Sequence, residues 1–345
     1  MWRRLMTPTR LVAAWQRTTI VVTVVPLVVL GIIGHGQHPA NTVVAACLVI
    51  GGSTHVAATG WFVFETDVRS VARRRWCRFF LLPAAVVAAA AWFGATASPH
   101  RIAIFLCGFF AWQFFHFQKQ NVGVAALMAS SSKVASLTTR ERRCLVASGI
   151  AGITGLLGRP SLLHIPLRPA TPALFFVGEV LFVVALVMGV AALMRRYRDQ
   201  RSLVFVVTYV SGLLFNAPIF LFRAPYAAVG GMTVAHGFQY LFIVSTVVGA
   251  SVHGRRRWER ATLFSNILIV GTGCLAVAIH LHDGDGFERA IYGVALGVTM
   301  AHFLIDAAIW RLRDPQSRKF LTRRLPHLLG DSPTTSINTS PADIG

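Results

Sequence analysis

Residues 301–315 read AHFLIDAAIWRLRDP. The stretch is apolar from Ala301 to Trp310, apart from His302 and Asp306, and turns basic at Arg311 and Arg313. An apolar run closed by a basic cluster is how a helix leaves a membrane on the cytoplasmic side. His302 and Asp306 are four residues apart, so a helix places them on one face. An imidazole and a carboxylate in an apolar helix are costly, and ionisable residues at membrane depth are functional candidates by default.

The pattern recurs along the whole chain. A spanning helix needs about 20 mostly apolar residues. Segments 18–36, 41–64, 79–97, 101–118, 141–158, 171–194, 202–222, 229–252, 262–281 and 289–310 meet that description. The fifth is the weakest, because its apolar core, Leu145–Leu157, is short and Gly-rich. Of the 345 residues, 54% are hydrophobic and 13% charged, against about 25% charged in soluble domains.

Lys and Arg number 33 against 13 Asp and Glu, a formal charge of +20. Such a balance can serve nucleic acid. Here the basic residues fall in short clusters between apolar runs, and the chain has no Gly-rich phosphate loop and no zinc-finger spacing. No nucleic-acid partner is expected; the expected partners are the lipid bilayer and a hydrophobic small molecule.

With the N-terminus in the cytoplasm, the cytoplasmic segments are the first 17 residues, 65–78, 119–143, 195–201, 255–260 and 311–324. They carry 28 of the 33 basic residues. The opposite side receives Arg101, Arg159, Arg168, Arg223 and Arg289. This is the positive-inside pattern. It predicts an all-α fold: a polytopic transmembrane helix bundle of about ten spanning helices, both termini cytoplasmic, in the cell (inner or plasma) membrane. Residues 1–330 form one helical domain. The tail 331–345, DSPTTSINTSPADIG, is polar and predicted to be a disordered cytoplasmic segment.

Arg3, Arg4, Arg10 and Arg17 before the first apolar core resemble a signal peptide, yet GHGQHPANT at 34–42 has no convincing A-x-A cleavage site. The segment reads as an uncleaved anchor. Cys47, Cys77, Cys107, Cys144 and Cys274 form no C-x-x-C pair and suggest no disulfide framework.

Four histidines lie well inside even-numbered predicted spans. His55 sits in GGSTHVAATGWFVFETD, followed by Glu65 and Asp67. His116 sits in WQFFHFQKQNVG, among Gln113, Gln118, Lys119, Gln120 and Asn121. His236 sits in VAHGFQYLF with Gln239 and Tyr240 a turn away, and His302 has Asp306. All four spans run from outside to inside. His55, His116 and His302 are expected in the cytoplasmic half, and His236 nearer the outer half or the midplane.

Neutral imidazole is a ligand for iron, zinc and copper. A ligating histidine usually has its second ring nitrogen held by a carboxylate, a carbonyl or water. Asp306 is expected to hold His302, and Gln239 a ring near His236. The expected metal ligands are therefore His55, His116, His236 and His302, with Asp306, Gln239 and Tyr240 as candidates for catalysis. For any one histidine the bland alternative is a hydrogen bond to a neighbouring helix. For Asp306 it is an interface pair with Arg311 or Arg313.

Other signals are weaker. Asp283 and Asp285 beside His280 form an acidic loop too short for an EF-hand. Glu179 is either a proton-handling group or a wetted carboxylate near the outer interface. The run HGRRRWER at 253–260 reads as a topology determinant facing anionic head groups.

At HGFQYLF and HFLIDAAIWRLRDP the chain resembles a family of bacterial polytopic membrane proteins of unknown activity, with H-x-x-Q-Y in one late helix and H-[FY]-x-x-D-x-x-I-W-[KR] in the last. The matching residues are His236, Gln239, Tyr240, His302, Asp306, Ile309, Trp310 and Arg311. FHFQKQNVG is similar to an earlier motif of that family, through His116, Gln118, Lys119, Gln120 and Gly123. The resemblance implies a shared helical architecture. More distantly, and in arrangement only, the dispersed histidines resemble those of bacterial membrane carotene-cleaving dioxygenases, which hold iron with histidines. The chain lacks their Pro-His-Gly opening motif and the H-x-x-x-H and H-x-x-H-H boxes of membrane fatty-acid desaturases.

Three functions stay open on the sequence. One is a membrane oxidoreductase with non-haem iron, acting on a lipid or isoprenoid. A second is a proton-coupled transporter, for which the chain shows no internal repeat. A third is a non-catalytic membrane protein, with haem between histidine pairs as one form.

Overall fold

The described residues of the ten apolar segments are largely helical, with a break at Phe215–Asn216, as backbone groups without water must be satisfied within the chain. The structure is a computed structural model that describes residues 7–35, 42–165, 167, 172–250, 255–311 and 314–329. The predicted tail at 331–345, together with Arg3, Arg4, His38, Arg168, His253 and Arg313, lies outside these residues.

In chain order the helices are α1 (Pro8–Ile33), α2 (Thr42–Val63), α3 (Thr66–Arg74), α4 (Cys77–Thr96), α5 (Pro99–Ser131), α6 (Thr139–Gly158) and α7 (Pro172–Asp199). There follow α8 (Leu203–Leu214), α9 (Ala217–Leu221), α10 (Tyr226–Gly249), α11 (Trp258–Asp283), α12 (Gly286–Ile309), α13 (Pro315–Arg324) and α14 (Pro326–Leu329). No strand occurs among the described residues.

Seven helices among the described residues are long and apolar enough to cross a membrane: α1, α2, α4, α7, α10, α11 and α12. Three predicted spans fall short of that measure for local reasons. α5 carries Gln113, Gln118, Lys119, Gln120 and Asn121 in its middle. α6 opens with Arg140, Glu141, Arg142 and Arg143, and α8 stops after 12 residues before the break at Asn216–Pro218. α5 also runs to Ser131, well into the segment expected to be a loop. Its last turns bury Val124, Ala125, Met128 and Ala129 and so remain helical.

The outer helices show apolar side chains to their surroundings, such as Trp92 on α4, Val187 and Met188 on α7, and Ile269 and Val277 on α11. Surface of that kind in water would be an aggregation liability; facing lipid it is solvated. Glu179 is exposed on this outer face of α7. The anchor helix α1 is part of the interior. Trp15, Thr19 and Thr23 are buried, and Gly231 of α10 lies against the backbone of Pro26 and Leu27.

Small residues set the helix spacing, as membrane helices require. A Cβ on Gly293 of α12 would stand 2.2 Å from the Ala90 carbonyl of α4, and one on Gly178 of α7 2.6 Å from the Gly155 nitrogen of α6. At one end of the bundle the chain is clasped by charge. Glu65, fully buried, takes Arg260 Nη2 at 2.9 Å and also pairs with Arg324, while Asp67 pairs with Arg323 at 3.1 Å. Arg75 reaches Asp314 at 2.7 Å, and its guanidinium holds the Asp314 carboxyl below the usual carboxylate range. The five cysteines are free.

Candidate metal centre

α2 is not a uniform helix. It passes through a π turn at Ile50–Thr54, a short α stretch at His55–Ala58 and a 3₁₀ stretch at Thr59–Phe64. Such irregularities inside a helix recur at functional sites. Two glycines in IGGST permit the π turn, and it lets α2 lie directly on α10. A Cβ on Gly237 would stand 2.1 Å from the Gly51 carbonyl oxygen, so no larger residue fits there. This backbone contact brings His55 beside His236.

The four histidine rings form a closed circuit where α2, α5, α10 and α12 meet. Ring centroids are 4.8 Å apart for His55 and His236 and 5.1 Å for His236 and His116. They are 5.0 Å apart for His116 and His302 and 4.9 Å for His302 and His55. His55, His236 and His302 are at most 2% exposed. His236 is thus within ring contact of both His55 and His116. α10 starts at Tyr226 with its own π turn, three residues earlier than the predicted span. Aromatic faces hold two of the rings: Phe117 stacks on His236 at 4.0 Å and Phe303 on His116 at 4.6 Å.

The free ring nitrogens are the unusual feature. Nε2 of His55, His116 and His302 and both nitrogens of His236 are buried without a hydrogen-bond partner. Each such atom costs roughly 1–3 kcal/mol if nothing satisfies it. The neighbours of two rings decide their tautomers. His55 Nδ1 lies 2.6 Å from the Gly51 carbonyl, which can only accept. Nδ1 therefore carries the proton, and Nε2 keeps its lone pair.

His302 Nδ1 lies 2.6 Å from Thr59 Oγ1, which lies 2.8 Å from Tyr240 Oη, which donates to Asp306 Oδ1 at 2.8 Å. An ionised carboxylate accepts only, so with Asp306 ionised every donor in this row is determined. The Tyr240 hydroxyl donates to Asp306, Thr59 to Tyr240, and His302 Nδ1–H to Thr59. His302 Nε2 is left with its lone pair, facing the other rings.

Two expectations are corrected here. Asp306 does not take the His302 N–H directly. Its Oδ1 stands 3.7 Å from Nδ1, because Thr59 reaches in from α2 and occupies that nitrogen. Asp306 acts through Tyr240 and Thr59 instead. Nor does Gln239 hold the His236 ring. Its amide donates to Thr23 Oγ1 at 2.9 Å and accepts from Gln120 at 2.6 Å, joining α10 to α1 and α5. An interface pair of Asp306 with Arg311 does not fit either, since Asp306 is 3% exposed and its ion-pair neighbours among the described residues are His116, at 3.8 Å, and His302; Arg313 lies outside those residues.

Thr59 was not legible in the sequence as part of the site. Its position four residues after His55, on the same helical face, was the available signal. Elsewhere, the acidic loop at 283–285 resolves into a helix cap: Asp285 accepts from the backbone nitrogens of Phe287 and Glu288 at the start of α12.

Side-chain atoms of His55, His236 and His302 lie within 4.8 Å of one another, as do those of His116, His302 and Asp306. An imidazole nitrogen sits about 2.0–2.1 Å from a metal such as zinc, which puts its ring centroid roughly 3.2 Å away, so ligands ~90–110° apart have centroids ~4.5–5.2 Å apart. The four measured spacings fall in that window. The first group offers three nitrogens, and the second two nitrogens and a carboxylate oxygen, with His302 shared between them. No protein-family model, no curated protein and no solved structure matches the chain.

Proposed function

We propose that the chain is a multi-pass membrane oxidoreductase in which His55, His116, His236 and His302 hold one non-haem metal, iron, for oxidation of a hydrophobic lipid or isoprenoid. The observation that carries this is the set of five buried, unpartnered nitrogens on four adjoining rings from four helices. A single ion among the rings would satisfy one nitrogen of each, His302 being common to the two groups of atoms that lie within 4.8 Å of one another. Asp306 adds a second support. A buried carboxylate with no Lys or Arg beside it among the described residues is costly, and a cation among the histidines neutralises it. Such a centre would supply oxygen activation at positions the four nitrogens leave open. The chain's own part is to orient the rings, through Gly51, the Thr59–Tyr240–Asp306 row, Phe117 and Phe303, and to keep water out.

Haem is disfavoured by the spacing. Two axial imidazoles on one iron have centroids roughly 6.4 Å apart with the macrocycle between them, and no neighbouring pair in the circuit leaves that gap. A proton-coupled carrier is disfavoured by Glu179, which faces outward. The ten-span topology with cytoplasmic termini belongs to this reading and is supported by the 28-to-5 division of basic residues. Reporter fusions at Arg198 and Gly284 are expected on opposite sides.

Metal analysis with an absorption spectrum of the purified protein tests the proposal. The expected result is about one iron per chain and no Soret band. A Soret band would move the assignment to haem, and absence of any metal would remove it.

A further inference from the structure

A cavity of about 330 Å³ opens next to the histidine circuit. Its walls are apolar, from Phe62, Val68, Ala72, Phe79 and Ile305, and Thr59 stands among them. Thr59 is the residue whose hydroxyl bonds His302 Nδ1 and Tyr240 Oη. Two arginines, Arg69 and Arg73 of α3, complete the lining. They are four residues apart and so share one face of α3.

The charges around this cavity are not evenly matched. Three carboxylates at this end of the bundle are already taken: Glu65 by Arg260 and Arg324, Asp67 by Arg323, and Asp314 by Arg75. The two arginines at the cavity have no such partner among the described residues. Arg69 donates Nε to the Val63 carbonyl at 3.3 Å, and Arg73 is in no ion pair. Both are exposed. An apolar chamber with two uncompensated guanidinium groups matches a ligand with an apolar body and an anionic end. Guanidinium forks suit carboxylate and phosphate oxygens in particular. The volume is at the lower end of ligand sites, about 300–1,000 Å³, which admits one chain and not two.

We propose that this cavity binds a single-chain amphiphile with an anionic head, its chain lying against Thr59 and its head on Arg69 and Arg73. The inference deepens the functional reading above, since it names the substrate class of the same centre. Binding of the amphiphile does not itself depend on the metal, so the two can fail separately.

The test uses the full chain in phosphatidylcholine nanodiscs and a 16-carbon fatty acid carrying a diazirine on its chain, with labelled residues mapped by mass spectrometry. Saturable labelling is expected within 59–79 and at Ile305. Palmitate should compete, and hexadecanol, of equal length but uncharged, should compete at least tenfold less well. The double variant Arg69→Gln/Arg73→Gln should bind about tenfold more weakly, the loss of charge-assisted hydrogen bonds. Ala72→Phe, which fills the chamber and leaves both arginines, should also block labelling. His236→Ala, which does not touch Thr59, should keep labelling while losing metal. Equal competition by hexadecanol, equal competition by a two-chain anionic phospholipid, or unchanged labelling of the arginine variant would each overturn the proposal. Labelling as expected in a wild-type protein without metal would sustain it and remove the metal reading. Bound metal without labelling would do the reverse.

Discussion

Two residues of α5, His116 and Gln118, lie two positions apart and face different neighbours. Gln118 enters a polar knot between α5, α6 and α8. Its amide donates to the Leu145 carbonyl at 2.6 Å and the Gly212 carbonyl at 3.2 Å, and its oxygen accepts from Asn121 and Asn216. Gly149 makes room for it, since a Cβ there would stand 2.5 Å from Gln118 Cγ. One atom of the knot, Asn216 Oδ1, is left over. The histidine circuit has five such atoms. Both groups are buried polar chemistry in apolar helices. The knot satisfies all but one of its atoms and so explains itself as packing, whereas the circuit, with five left over, is complete only with something added. Unmet hydrogen-bonding capacity, not polarity, separates a functional site from structural glue.

The largest test of this contrast is His302→Ala. It removes one ligand and the end of the Thr59–Tyr240–Asp306 row, and bound metal should fall below detection by plasma mass spectrometry. Retention of stoichiometric metal would break the comparison. Asp306→Asn comes next. The carboxylate acts three hydrogen bonds away from His302, through Tyr240 and Thr59, so metal affinity should drop by about 10–100-fold, the usual effect of an outer-shell partner, with the helical circular dichroism preserved.

Gln118→Leu should show the opposite profile. The carbonyls and amides it leaves should lower unfolding stability by about 1–3 kcal/mol, while metal content stays that of the wild type. Loss of metal on this change would mean that the two regions are one site. The smallest effect belongs to Asp314→Asn at the clasped end. Its pair with the exposed guanidinium of Arg75 contributes ~0.2–1 kcal/mol. Because Arg75 lowers the Asp314 pKa, this contribution is present above the ordinary carboxylate value, about 3.9, and fades as pH falls through the lowered one. The wild type and Asp314→Asn should therefore differ in thermal stability at neutral pH and converge in acid.

The sequence was legible where hydropathy and charge act along one helix. The apolar runs located the long helices but not α3, α13 and α14, which lie outside every apolar run, and the positions of His55, His116, His236 and His302 identified the residues that converge. What depended on contacts between helices was not legible. The i, i+4 spacing of His302 and Asp306 suggested a direct bond, but spacing on one helix cannot show that Thr59 enters from another. Gln239 looked like a partner of its own helix and instead serves α1 and α5. The π turn at Gly51 and Gly52 was hidden because a helix that changes pitch keeps its composition.

X-ray absorption at the metal edge of the purified, full-length protein tests the central claim most directly. The account predicts one iron with a first shell of about four nitrogen scatterers near 2.0–2.2 Å, the range of metal–imidazole bonds, and the outer-shell scattering of imidazole rings, lost in His302→Ala. A wild-type shell of sulfur or of oxygen alone, or a spectrum unchanged by that substitution, would contradict it.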